Sequence, residues 1–236
     1  MPSTNIAPRN PTRFPGGLSI NRPTDAMARM GQIDPTAFYT DVEDFSTYTA
    51  ANWTVTSVGT GSRALVAGAG GLLAVTNSAG IADSNFLQRT VAAFAPVAGK
   101  RAFFKVRMKL SDASLTTFQA GLVIQDTTPL DATDGIYFQK ASGSAVITAY
   151  VRKNATTGST SVAVGSFVAD TFVTLAWHYN AANVVELFVN DAKVGSLDAS
   201  STYLPDTPLA LSFGVGNGEA VAKVGTFDYI MAAIER

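Results

Sequence analysis

Between Asp170 and Leu197 the chain alternates apolar and polar residues with a period of two, in three runs separated by asparagine-rich breaks. In the first run Val173, Leu175, Trp177 and Tyr179 fall on one face, and Phe172, Thr174, Ala176 and His178 on the other. Successive side chains of a strand point to opposite sides, so this period specifies pleated strand rather than helix. Asn180 to Asn183 and Asn190-Asp191 are turn chemistry, because Asn and Asp tolerate positive φ and bond their own backbone. The stretch predicts a three-stranded antiparallel meander, and the rest of the chain must pack against it.

The same period recurs elsewhere. Phe104, Val106, Met108 and Leu110 alternate with Lys105, Arg107 and Lys109, as in a strand with one face on a core and one in water. Shorter strands are predicted near 53–58, 63–67, 72–76, 84–91, 117–125, 135–140, 144–152, 160–165, 208–216 and 224–234, with Gly121 at a bulge or bend. On the strand at 208–216, Leu209, Leu211, Phe213 and Val215 share one face. Small residues fill the other, which suits close contact with another layer or subunit. Trp53, Trp177 and Tyr137 read as core or edge residues. No long 3.6-residue period follows residue 40, and no internal repeat is visible. Roughly a dozen short, regularly spaced strands predict an all-β sandwich or barrel over 41–236.

Residues 1–40 differ. They hold six of the ten prolines and four arginines against Asp25 and Asp34. Proline at this density prevents regular ladders. Arg9, Arg13, Phe14, Leu18, Ile20, Arg22, Met27, Arg29 and Met30 form a set of charged and apolar anchors. A short helical turn over Asp25 to Met30 is predicted, with Thr24 as its N-cap. So many apolar anchors suit an arm that orders on a partner better than a plain linker.

With 17 basic and 18 acidic residues, the chain lacks the basic excess of a general nucleic-acid binder. It has no cysteine, hence no disulfide and no thiolate metal site. The first residues do not form a signal peptide, and no apolar run reaches the ~20 residues that span a bilayer. These features predict a chain made in the cytoplasm, with neither membrane nor nucleic acid as partner.

Candidate chemistry is sparse. His178 is the only histidine, it sits mid-strand, and no Gly-x-Ser-x-Gly elbow accompanies it. A sandwich glycosidase needs two carboxylates facing each other across a cleft. Asp41 and Glu43 have the right parity but are placed before the first predicted strand, and Glu186 stands alone on its strand. Asp126, Asp131 and Asp134 share a loop rich in turn formers, and could hold a ligand or a calcium-like ion. They lack the EF-hand spacing, and Asp is also an ordinary turn residue. Gly68 to Gly71 and Gly214 to Gly218 read as turns, since no helix follows to complete a phosphate cradle. No catalytic residue, cofactor or metal is expected.

The run from Asp170 through Trp177, the strand ending at Asn190-Asp191, and the return Val194-Gly195-Ser196-Leu197 resemble the late meander of concanavalin-A-like and laminin-G-like jelly rolls. That resemblance implies a jelly-roll antiparallel β-sandwich with an extended N-terminal arm. A second resemblance rests on Thr12 to Leu18, Asp34-Pro35-Thr36, Asp44 to Trp53, Asn217 to Ala220, Asp228-Tyr229-Ile230 and Glu235-Arg236. These look like structural proteins of tailed-phage head modules. That class implies a non-enzymatic capsid cement or decoration protein, assembled in the host cytoplasm and sited on the virion surface. Its partners would be the major capsid protein and two further copies in a homotrimer. The rival expectations are a lectin-like head-fibre, tail-fibre or baseplate module that binds host glycans, and a glycosidase of the same fold.

Overall fold

A computed structural model describes residues 37–157 and 161–236. Sixteen strands fill it, with two single-turn 3-10 helices at Ala50–Asn52 and Pro129–Asp131. The strands are β1 (Phe38–Glu43), β2 (Trp53–Val58), β3 (Gly61–Val66), β4 (Leu72–Asn77), β5 (Ser84–Arg89), β6 (Ala102–Leu110), β7 (Thr116–Val123) and β8 (Gly135–Lys140). They continue as β9 (Val146–Lys153), β10 (Thr156–Thr157), β11 (Val162–Ser166), β12 (Val173–Tyr179), β13 (Val184–Val189), β14 (Ala192–Asp198), β15 (Ala210–Asn217) and β16 (Val224–Glu235).

Two antiparallel sheets result. The first runs β14-β13-β12-β6-β16-β4-β3, with β1 also on β16. The second runs β10-β9-β8-β7-β15-β5-β2, with β11 also on β9. The long β16 organises the first sheet. One side pairs with β6; the other pairs with β4 along Val224–Phe227 and with β1 along Ile230–Glu235. The meander predicted around Trp177 is present as β12, β13 and β14, and Asn183, Asn190 and Asp191 take positive φ in its turns. Asp41 and Glu43, expected before the first strand, lie on β1.

The core lies between the sheets, and alternation puts it there. Phe104, Val106, Met108 and Leu110 of β6 face Phe118, Ala120, Leu122, Leu211, Phe213 and Val215 of the second sheet. Trp53 and Trp177 are buried in it, as expected. Tyr137 is buried too, at 2% exposure, but in a smaller cluster with Val123 and Ala132 on the outer face of the second sheet, stacked on Tyr150 at 5.3 Å. Gly121 marks no bend. Its position is regularly paired, and a Cβ there would meet Cβ of Tyr137 at 2.5 Å. Close approach, rather than curvature, demands glycine. Gly214 on β15 has a similar reason: Phe86 of β5 lies across it, 2.4 Å from where a Cβ would be. The small-residue face of β15 is thus filled in part by its own sheet.

Among the described residues the first sheet ends in β3, which pairs only with β4 and is exposed along nearly its whole length. Leu65 and Val66 are open to solvent there.

One end of the sandwich is plugged by polar groups. Lys140 is fully buried, and its Nζ donates to the carbonyls of Ser114, Thr116 and Ala141. Burial pushes its pKa down from 10.5 to about 8, and Asp112 offsets part of that shift. An unfolded chain binds more protons than the folded one between those values, so this group makes stability rise as pH climbs through that window. Denaturant titrations on either side of the window should show the rise, and Lys140→Met should abolish it.

Candidate functional site

The two carboxylates with glycosidase parity come together at the open edge of the sandwich. Tyr39, Asp41 and Glu43 alternate onto the inward face of β1, where Tyr39 packs on Phe94. Arg89, the last residue of β5, reaches them from the second sheet. Its Nε and Nη2 donate to the two oxygens of Asp41 at 2.7 and 2.8 Å, and Nη2 also donates to Glu43 Oε2 at 3.2 Å. The guanidinium lies 4.1 Å from the ring of Trp53. A planar fork of donors suits a bidentate carboxylate and an aromatic face together, which a lysine could not match.

Beside this clip is a cavity of about 160 Å3 lined by Tyr39, Asp41, Asn52, Arg89, Thr90 and Val91. Asn52 is set by the 3-10 turn before β2, and the Thr90 N–H donates to its carbonyl at 3.2 Å. The cavity thus offers a carboxylate, a guanidinium, a carboxamide and a hydroxyl, with one aromatic wall. It is smaller than the roughly 300 Å3 of a site for a drug-sized ligand. Its size suits one small polar unit rather than an enclosed chain.

The outer face of the second sheet adjoins it. Residues 124–134 are pinned over that face: Gln125 Nε2 donates to Arg89 O, and the Asp126 N–H to Gln88 Oε1. Farther along, Gln139 Nε2 donates to Leu130 O. Gln88 Nε2 in turn donates to Ile124 O and Ser212 Oγ, both at 3.0 Å. Gln119 on the same face is 2% exposed, yet neither amide atom has a partner. A buried carboxamide without partners costs stability. Gln119→Met is therefore expected to stabilise the fold by about 1 kcal/mol, read as a raised urea midpoint with unchanged slope.

The loop acids do not gather. Asp126 accepts from Thr128, Asp131 pairs with Arg152 at 3.0 Å, and Asp134 accepts from the Asn154 N–H. Among the described residues no group of three or more His, Asp and Glu could hold a metal ion. His178 stacks on Phe103 at 4.4 Å and pairs with Glu186, whose carboxylate also binds Lys193 and is held below its usual pKa by that lysine first and by His178 second. The arm anchors, from Arg9 to Met30, lie outside the described residues. Arg89, Asn52 and Thr90 were missed in the sequence. Only Arg89 carried a signal, as a charge on the inward parity of Leu87.

No protein-family profile and no curated protein matches this sequence. Solved structures do resemble it. An endo-1,3-beta-glucanase from Streptomyces sioyaensis aligns over 86% of this chain and 98% of its own, at 12% identity and a TM-score of 0.59. A Bacillus licheniformis beta-glucanase aligns over 82% and 97%, at 13% identity and a TM-score of 0.57. The carbohydrate recognition domain of Emp46p aligns over 80% and 93%, at 11% identity and a TM-score of 0.54. The fold is a concanavalin-A-like jelly roll. At such identity the likeness shows the fold alone. It still overturns the expectation of a chain that is no enzyme: the architecture taken as an inert structural body is one on which glucanases are built.

Proposed function

We propose that this chain is a carbohydrate-binding jelly-roll domain and that one sugar of a glycan enters the cavity between β1 and β5. The observation that carries this reading is the cavity: Asp41 and Arg89, held by their ion pair, and Asn52 and Thr90 line a sugar-scale space beside Tyr39. Sugar hydroxyls both donate and accept, so recognition needs such a mixed set. The glucanases and the carbohydrate recognition domain that share the fold support it as precedent.

A glycan array followed by calorimetry on β-1,3- and mixed-linkage glucans tests the reading. Asn52→Ala and Thr90→Ala, both at exposed positions, should each weaken binding about tenfold without changing the fold. Reducing-sugar release in the same samples reports whether the bound chain is cut. No glycan bound, or binding indifferent to both variants, would refute the proposal.

Capsid cementing is the second reading. The proline- and arginine-rich residues 1–40 and the resemblance to tailed-phage head proteins support it. It requires a leader free to reach a shell subunit; since Phe38–Thr40, counted with that leader in the sequence, belong to β1, removal of residues 1–36 is the cut that should abolish capsid binding while leaving the sheet whole.

A further inference from the structure

The two sides of the sandwich end differently. On one side the sheets end in β14, β10 and β11. Lys193 stands on β14, β10 is two residues long, and β11 is broken by a register shift. Such devices keep a sheet edge from pairing with other chains. β1 has its own protection in the carboxylates of Asp41 and Glu43. On the other side the ends are β2 and β3, consecutive strands in opposite sheets. They are held side by side where Ser57 and Arg63 both donate to Asn85 Oδ1. Neither strand has a lysine, a proline or a register shift. Leu65 is the clearest anomaly. It pairs with Leu73, whose side chain is fully buried, so Leu65 points to the core side of its sheet. It is nevertheless 47% exposed, with Val66 at 40% and Val58 of β2 at 54%. The core therefore runs out to an open wall along β3.

We propose that a second copy of this chain covers that wall, by antiparallel pairing of β3 with β3 of its partner about a two-fold axis. An axis normal to the sheet at Leu65 sets Leu65 against the partner's Leu65 and Ala64 against the partner's Val66. Directly paired residues of an antiparallel ladder share a face, so a core-side leucine meets a core-side leucine. Arg63 then falls against the partner's Ala67, and no like charges meet. An axis at Arg63 would oppose two guanidinium groups, which disfavours that register. With a formal net charge of -1, two copies scarcely repel one another. The six residues of β3 give a strip about 20 Å long on a sandwich about 10 Å deep. That is less than the roughly 800 Å2 per partner of a standard interface, so the dimer is weak, with a Kd on the order of 10–100 μM. The same patch serves both copies, so the contact closes at two. It departs from the homotrimer expected of a cement protein. It is independent of the glycan reading, to which it would add a second cavity per particle.

The chain has no cysteine, so a single introduced thiol reports the contact directly. Leu65→Cys places that thiol on the axis. Paired residues there have Cα atoms about 4.5–5.5 Å apart, a span that a disulfide bridges. Under mild oxidation of the full chain, Leu65→Cys should give covalent dimer at least tenfold faster than Val194→Cys, an exposed position on β14. Sedimentation of the native chain between about 1 and 300 μM should show monomer giving way to dimer. Leu65→Glu, which opposes two carboxylates on the axis, should raise the Kd at least tenfold. A native chain that stays monomeric throughout, or that forms a trimer, overturns the proposal. So does equal cross-linking of the two cysteine variants, or a dimer indifferent to Leu65→Glu.

Discussion

Arg89→Ala should lower the unfolding free energy by about 3 kcal/mol. The side chains of Arg89, Asp41 and Glu43 are 13%, 18% and 14% exposed, so the clip is largely withdrawn from water. Removing the guanidinium leaves two carboxylates side by side with no counter-charge, and strips Trp53 of its cation. Breaking one partner of a buried pair costs more than the pair's net contribution, because the survivor stays desolvated. Arg89→Lys should recover only part of the loss, since a point charge cannot serve two carboxylates and a ring together. A urea titration decides it: an unchanged midpoint in Arg89→Ala would mean that β1 is held by its ladder to β16 alone. Salt supplies a second signature. At about 1 M ionic strength the repulsion between Asp41 and Glu43 is screened, and part of the loss should return.

Phe213→Ala is expected to cost more, about 4 kcal/mol, and to show no salt recovery. Phe213 is 1% exposed and sits where the sheets meet. Its ring is 4.5 Å from Phe227 of β16, 5.1 Å from Trp53 and 5.8 Å from Phe45. Truncation removes the transfer energy of the ring and leaves a cavity among aromatic neighbours too rigid to collapse. Domains are stable by only about 5–15 kcal/mol, so the variant should lose a large share of its margin. Thermal melts of Phe213→Ala and Phe213→Leu, compared at matched salt, check it. A loss near zero for alanine would show that the core repacks freely around β15.

Local chemistry was legible in the sequence. β6 and β12 could be read because each alternates cleanly, and the turns around β13 because Asn183, Asn190 and Asp191 adopt the positive φ that such residues allow. β1 was not legible as a strand. Its six residues pair with β16, nearly two hundred positions away, and no local pattern encodes that contact. The cavity was hidden for the same reason, since its walls come from residues 39, 41, 52 and 89–91. Asp41 and Glu43 had been noticed for their parity, but only the fold supplies Arg89 to bring both to one cavity edge. Tyr137 is buried as expected, but which side of the sheet it takes was not legible, because strand parity alone does not say which face looks inward. Its strand neighbours Ile136 and Phe138 took the core.

Among the described residues, the first sheet stops at β3 with one row of peptide groups unmatched. Its single charge, Arg63, is turned to Asn85 at 2.7 Å, so no charge guards that margin. Natural sheets usually blunt such a border with lysine, proline or a bulge. Lacking these, Leu65 and Val66 leave this border open to edge-to-edge pairing between concentrated chains. Leu65→Lys is therefore expected to raise solubility without touching the sugar-scale cavity, which lies elsewhere.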